Sequence, residues 1–181
     1  MTRRRRLAPA SPGTVALPLA LWALCAPGLS GAQQVEVYCT SNVMVYLSGA
    51  RTMGGVGGGV GVRGFPGPPF ILQADVSSLL LLGNVAALRL GAGVQRSGLY
   101  SPFALVTALT LLGDRLTFLT PDHPVPVTGP AVSLGVTVAP LRFVFQGAEV
   151  SLLQLGAGLG TDLPGLGISY SLGLMEVGAA F

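Results

Sequence analysis

Over most of this chain the apolar residues return at every second position, and that period decides what the chain can fold into. Phe70, Leu72, Ala74 and Val76 share one parity, while Gln73, Asp75 and Ser77 share the other. Leu88, Leu90, Ala92 and Val94 oppose Arg89, Gly91, Gly93 and Gln95. The same alternation runs through Val132–Val138, Leu153–Gly160 and Leu166–Leu174. In Val35–Leu47 the polar side is Glu36, Tyr38, Thr40 and Asn42. Successive side chains of a strand point to opposite faces, so a period of two means strands. Phe103–Leu112, apolar at both parities, is read as one more strand, although it has the look of a helix.

The stretch Gly54–Pro69, GGVGGGVGVRGFPGPP, obeys the same rule. Val56, Val60 and Val62 fall at even positions, and Gly55, Gly57, Gly59, Gly61 and then Arg63 at odd ones. It reads as a strand with one face almost bare of side chains. Its Gly59–Gly64 segment also fits a GxGxxG pattern. That pattern cradles a phosphate only where a strand runs into a helix N-terminus, and Phe65-Pro66-Gly67-Pro68-Pro69 follows instead. A nucleotide site is therefore not expected.

Turn signals separate the strands: Ser48-Gly49, Phe65–Pro69, Gly83-Asn84, Ser97-Gly98, Gly113-Asp114, Gln146-Gly147 and Asp162–Gly165. At Ala139-Pro140 the apolar set moves from even to odd positions, and a chain reversal there would account for it. Eight strands are expected, or ten if the short pieces count separately. The architecture predicted is an all-β, antiparallel, up-and-down barrel.

Only 9% of residues are charged and 50% are hydrophobic, against about 25% charged in ordinary soluble domains. The non-apolar faces consist mostly of Gly, Ser, Thr and Gln. Such a face makes a poor surface in water and a good lining for a lumen. In a membrane barrel the apolar face meets lipid and the small polar face points inward, and closure leaves no backbone group unpaired in the bilayer. Arg63 and Arg89 are then expected in the lumen, with Asp75, Glu36 or Asp162 as their partners.

The first residues read as an address. Arg3–Arg6 form a charged region, Val15–Ala26 a short apolar one, and Ser30-Gly31-Ala32 a small-residue cleavage site. The expected division is a signal peptide over 1–32 and a β-barrel domain over 33–181. A membrane-spanning helix needs about 20 apolar residues, more than this Pro-broken run supplies. Past residue 32 there are six Arg and seven acidic residues, so the formal charge of +3 belongs to the N-terminus. The body offers no basic face for nucleic acid.

Taken together, an export signal, alternating strands of about ten residues and a terminal Phe181 resemble the small bacterial outer-membrane β-barrel proteins of the OmpA/OmpX-like type. The resemblance spans Gln33–Phe181 and is one of pattern. It implies outer-membrane lipid and the barrel-assembly machinery as partners, with Phe181 as the residue that machinery reads. Val177, Ala179 and Phe181 lie at the opposite parity to Leu166–Leu174, so the last strand is expected to carry a bulge or break near Glu176.

Little in the chain suggests chemistry. His123 is the single histidine and Cys39 the single cysteine past the address, so no metal cluster or other cofactor site is expected. Some outer-membrane barrels modify lipid with a His, a Ser and an acid, but His123, Asp122 and Ser133 have no spacing that singles out a triad. Glu149 and Glu176 show no paired-carboxylate context, and Arg142 reads as the inward member of a strand. The chain is accordingly read as a non-enzymatic outer-membrane barrel, structural, adhesive or a narrow passive pore. The alternatives are a soluble periplasmic or secreted barrel holding an apolar ligand and, third, a lipid-modifying barrel.

Overall fold

The computed structural model describes residues 34–119, 125–162 and 165–181. The expected signal peptide, Asp122 and His123 lie outside the described residues, as does the side chain of Asp162.

The strands are β1 (Gln34–Leu47), β2 (Arg51–Gly67), β3 (Phe70–Leu81), β4 (Val85–Gln95), β5 (Phe103–Gly113), the two-residue β6 (Leu116–Thr117), β7 (Ala131–Phe145), β8 (Ala148–Asp162) and β9 (Gly165–Ala180). The eight long strands pair antiparallel with their neighbours, and β1 bonds both β2 and β9. The sheet is thus a closed eight-stranded barrel. β6 adds a short pairing to Arg51–Thr52 at the mouth of the barrel. Phe181 and Val35 exchange backbone hydrogen bonds, so both ends of the described chain meet at one rim, here called the terminal rim. The opposite rim carries the longest connection, between β5 and β7, and is called the loop rim.

The wall is apolar on the outside. Val60, Leu72, Leu90, Val106, Leu134 and Leu159 are each at least half exposed. Residues of the opposite parity on the same strands, among them Arg63, Gln73, Arg89, Thr107 and Ser133, are buried inside. This is the reverse of a soluble barrel with a greasy lumen.

Gly55, Gly57, Gly59 and Gly61 of β2 share the inward face, and at Gly59 and Gly61 side chains from the neighbouring strands take their space. A Cβ on Gly61 would stand 2.3 Å from the Tyr38 ring, and one on Gly59 would stand 2.3 Å from Ser77 Oγ. At Gly54 the backbone adopts φ +132°, which side chains disfavour. The bare face is therefore where the Tyr38 ring of β1 lies down, while the Tyr46 ring lies over Gly160 of β8 and Gly167 of β9.

Ala139-Pro140 is not a chain reversal. β7 runs unbroken through it, and the pairing with β8 shifts register between Val138 and Arg142. Proline has no N–H to give to a ladder, so a bulge is where a strand tolerates it. β9 carries a matching irregularity: Ser41 faces Met175 and Asn42 faces Gly173, which leaves Leu174 as the extra residue. β8 changes inward parity at the same level, between Ser151 and Gln154. Three adjacent strands thus change face along one line, and every inward position beyond that line, toward the terminal rim, is offset by one.

Aromatic residues, few in the sequence, gather at the terminal rim. Phe70, Tyr100, Phe145 and Phe181 are exposed there, and Tyr100 packs on Phe143 with ring centroids 5.8 Å apart.

Candidate functional site

The interior is layered. Nearest the loop rim is an apolar plug of Met44, Tyr46, Met53, Leu79, Val85, Ala87, Leu109, Leu111 and Ala131. A middle layer consists of hydroxyls and glycines. There Ser133 bonds Ser169 at 2.7 Å and Thr107 meets Thr137 at 3.2 Å. A cavity lined by Arg89, Thr107, Ser133, Thr137, Ser169 and their neighbours has a water-accessible volume of ≈ 10 Å³, about one water molecule. Nearest the terminal rim is a layer of charge.

The charged layer is built from five strands. Arg63 of β2 donates through Nε to Gln73 Oε1 at 3.0 Å and through Nη1 to Glu36 Oε1 at 3.2 Å. The same Nη1 pairs closely with Glu149 of β8 and Glu176 of β9. Arg142 of β7 holds both oxygens of Glu149 in a two-pronged grip. Its Nη2 reaches Glu36 Oε2 at 3.2 Å, and its Nη1 donates to Gln95 Oε1 at 2.8 Å and Ser101 Oγ at 3.0 Å. Aromatic faces cover the guanidiniums: Arg63 lies 4.2 Å from the centroid of Tyr38 and 4.9 Å from that of Phe103. A cation over such a ring gains electrostatically, and more so away from water.

A second pair lies one step deeper. Asp75 Oδ2 accepts from Arg89 Nε at 2.9 Å, from Tyr38 OH at 3.0 Å and from Gln73 Nε2 at 3.0 Å. Gln73 links the two groups, since it also accepts from Arg63.

Of the residues expected in the lumen, Glu36, Arg63, Asp75 and Arg89 all lie there, each at 2% exposure or less. The structure joins Glu36 to Arg63 and Asp75 to Arg89. Phe181 stands on the terminal rim, 81% exposed. Ser133 is committed to its bond with Ser169 inside the wall.

Arg142, Glu149 and Glu176 were not expected as members of one cluster, and Glu149 and Glu176 are corrected here: they share it with Glu36. Carboxylate oxygens of the three glutamates lie within 4.8 Å of one another. Such a trio could hold a metal ion, but Arg63 and Arg142 already lie among them and supply the positive charge. The sequence signal for this cluster is the pair of parity changes, at Ala139-Pro140 and before Val177. Followed through, they turn Arg142 and Glu176 inward; Glu149 follows from the third change, between Ser151 and Gln154 of β8.

No protein-family model and no curated protein matches the sequence. Solved structures do. Neisserial surface protein A superposes with a TM-score of 0.50 over 81% of this chain and 97% of its own, at 10% identity. Ail, the attachment invasion locus protein of Yersinia pestis, gives 0.46 over 82% of this chain and 99% of its own, also at 10% identity. The fold is that of a small outer-membrane-type β-barrel. The likeness read from strand pattern is therefore met at the level of fold, and at this identity it extends to fold alone.

Proposed function

We propose that the chain is an exported outer-membrane β-barrel, non-enzymatic and closed to solutes, with a structural or adhesive role at the cell envelope. The observation that carries this reading is the inversion of the wall: aliphatic side chains outside, guanidiniums and carboxylates within. Only a hydrocarbon solvent rewards that arrangement, because charges are costly in lipid and apolar groups are not. The aromatic residues at the terminal rim suit a membrane interface.

Closure to solutes follows from burial. A water-filled channel would leave the lumen side chains accessible, whereas Arg63, Arg142, Glu149 and Glu176 are 1–2% exposed. The apolar plug stops the other end. Function then belongs to the surface presented at the loop rim, where Arg51 holds the carbonyls of Gly129 and Pro130 at 2.6 and 2.9 Å and so anchors the long β5–β7 connection. Outer-membrane lipid and the assembly machinery are the partners this reading requires, the latter meeting Phe181.

Envelope fractionation, followed by gel electrophoresis of heated and unheated samples, tests the proposal. Recovery in the outer membrane with a heat-modifiable band supports it, and recovery in the soluble fraction refutes it. Steady conductance in planar bilayers would overturn the closed state and restore the narrow-pore reading.

A further inference from the structure

Beside the charged layer, the inward rows of β1, β9 and β8 bring together a second set of oxygens. One row runs Thr40–Glu176–Ser151, and the next runs Asn42–Gly173–Gln154. Directly opposed side chains on one face of a sheet stand about 5 Å apart. Thr40 Oγ1, Asn42 Oδ1, Ser151 Oγ and Gln154 Oε1 are all buried without a hydrogen-bond partner, in residues between 1% and 6% exposed. Buried polar atoms of this kind are rare because each forfeits its hydration. Four in two adjacent rows call for a common partner.

The orientation of the amides follows from their bonds. Gln154 Nε2 donates to Glu176 Oε2 at 2.7 Å, so its carbonyl oxygen is turned elsewhere. Asn42 Nδ2 donates to Ser77 Oγ at 3.0 Å, which frees its Oδ1 in the same way. Gly173 keeps the space between them open: a Cβ there would come within 2.9 Å of Gln154 Cβ and 3.5 Å of Gln154 Oε1.

The charge points the same way. In the terminal half of the lumen Arg63, Arg89 and Arg142 face Glu36, Asp75, Glu149 and Glu176. By formal count the carboxylates exceed the guanidiniums by one, and Glu176 borders the unpartnered oxygens.

We propose that Asn42, Gln154, Thr40 and Ser151, with Glu176 as the charge, bind one small monovalent cation of the sodium class. Hard cations take oxygen ligands, and a single excess charge matches a monovalent ion better than a divalent one. A water molecule would meet the acceptors but not the charge. The ion is enclosed as the barrel closes, so it binds the folded chain and not the unfolded one and stabilises the fold by mass action.

The test is thermal unfolding of the full chain folded in detergent, in sodium chloride and in choline chloride at equal ionic strength. The midpoint is expected to be higher in sodium and to rise with sodium concentration. Gln154→Leu and Asn42→Leu are expected to abolish that difference, while Ser133→Ala, outside the group, keeps it. Should the leucine variants fail to fold, crystals of the unaltered protein grown with thallous ion in place of sodium give a second readout: an anomalous peak among these oxygens is expected. Equal midpoints in sodium and choline, or an ordered water without anomalous signal at that position, would overturn the proposal.

Discussion

Arg142 and Glu149 clasp one another inside the barrel only because β7 and β8 change face at the same level. Inward residues of β7 are odd-numbered up to Ala139, and those of β8 are even-numbered from Gln154 onward. Without the shift Arg142, Glu149 and, on β9, Glu176 would all point into the surrounding solvent of the wall. The bulge line is thus the device that gathers the charged layer.

Deleting Leu174 tests this directly. The extra residue on β9 would be gone, and the alternation of Leu166–Gly173 would run on unbroken, with Met175 outward and Glu176 still inward. A double deletion of Leu174 and Met175 would instead place Glu176 next to Gly173 and turn it outward into the apolar belt. The expected outcome is a heat-modifiable band retained by the single deletion and lost by the double one.

Removing one member of the charged layer strands the others. Arg142→Met leaves Glu149 and Glu36 with one guanidinium, Arg63, between them and Glu176. Breaking a buried pair from one side costs about 3–5 kcal/mol. Urea unfolding in detergent should show a loss of that order for Arg142→Met. Arg142→Met with Glu149→Gln should lose less, since the uncompensated charge is gone.

Gly61 and Tyr38 form a second coupled pair. A methyl group at Gly61 meets the Tyr38 ring at 2.3 Å, and overpacking of this kind costs about 1–3 kcal/mol. Gly61→Ala is expected to destabilise the barrel by that amount in the parent chain and by less in a Tyr38→Ala background, where Asp75 Cβ at 2.7 Å is the contact that remains. Strict additivity of the two changes would show that the ring does not depend on the bare face of β2.

The outer wall gives a prediction that separates lipid from water. Leu134 on β7 is 63% exposed and faces outward between Val132 and Val136. In a bilayer, Leu134→Arg should cost about 2–4 kcal/mol near the midplane, measured by unfolding from lipid vesicles. An unchanged stability would mean that this face meets water.

How far this was legible in the sequence depended on periodicity. Where one parity held over a whole strand, as from Phe70 to Val76 or Leu88 to Val94, both the strand and the inward residues Asp75 and Arg89 could be read directly. The closed barrel followed from the same alternation together with the scarcity of charge. Where parity changed, the reading faltered. Ala139-Pro140 suggested a turn, because a bulge and a reversal leave the same mark on a sequence. Glu149 and Glu176 looked solitary because their partners come from β1, β2 and β7, and no local spacing encodes pairing around a barrel. The rim of aromatics was hidden for the same reason: Phe70, Tyr100, Phe145 and Phe181 are far apart in the chain and share one rim only once the strands close.

The central claim, that the wall of this barrel faces lipid, is tested most directly at Cys39, an exposed thiol on the outer face of β1 between Val60 and Val177. A spin label on that thiol, in a Cys25→Ser chain folded into lipid bilayers, can be relaxed either by oxygen, which concentrates in hydrocarbon, or by a water-soluble nickel chelate. The account predicts strong relaxation by oxygen and little by the chelate. The opposite ranking would place the apolar face of β1 in water and contradict it.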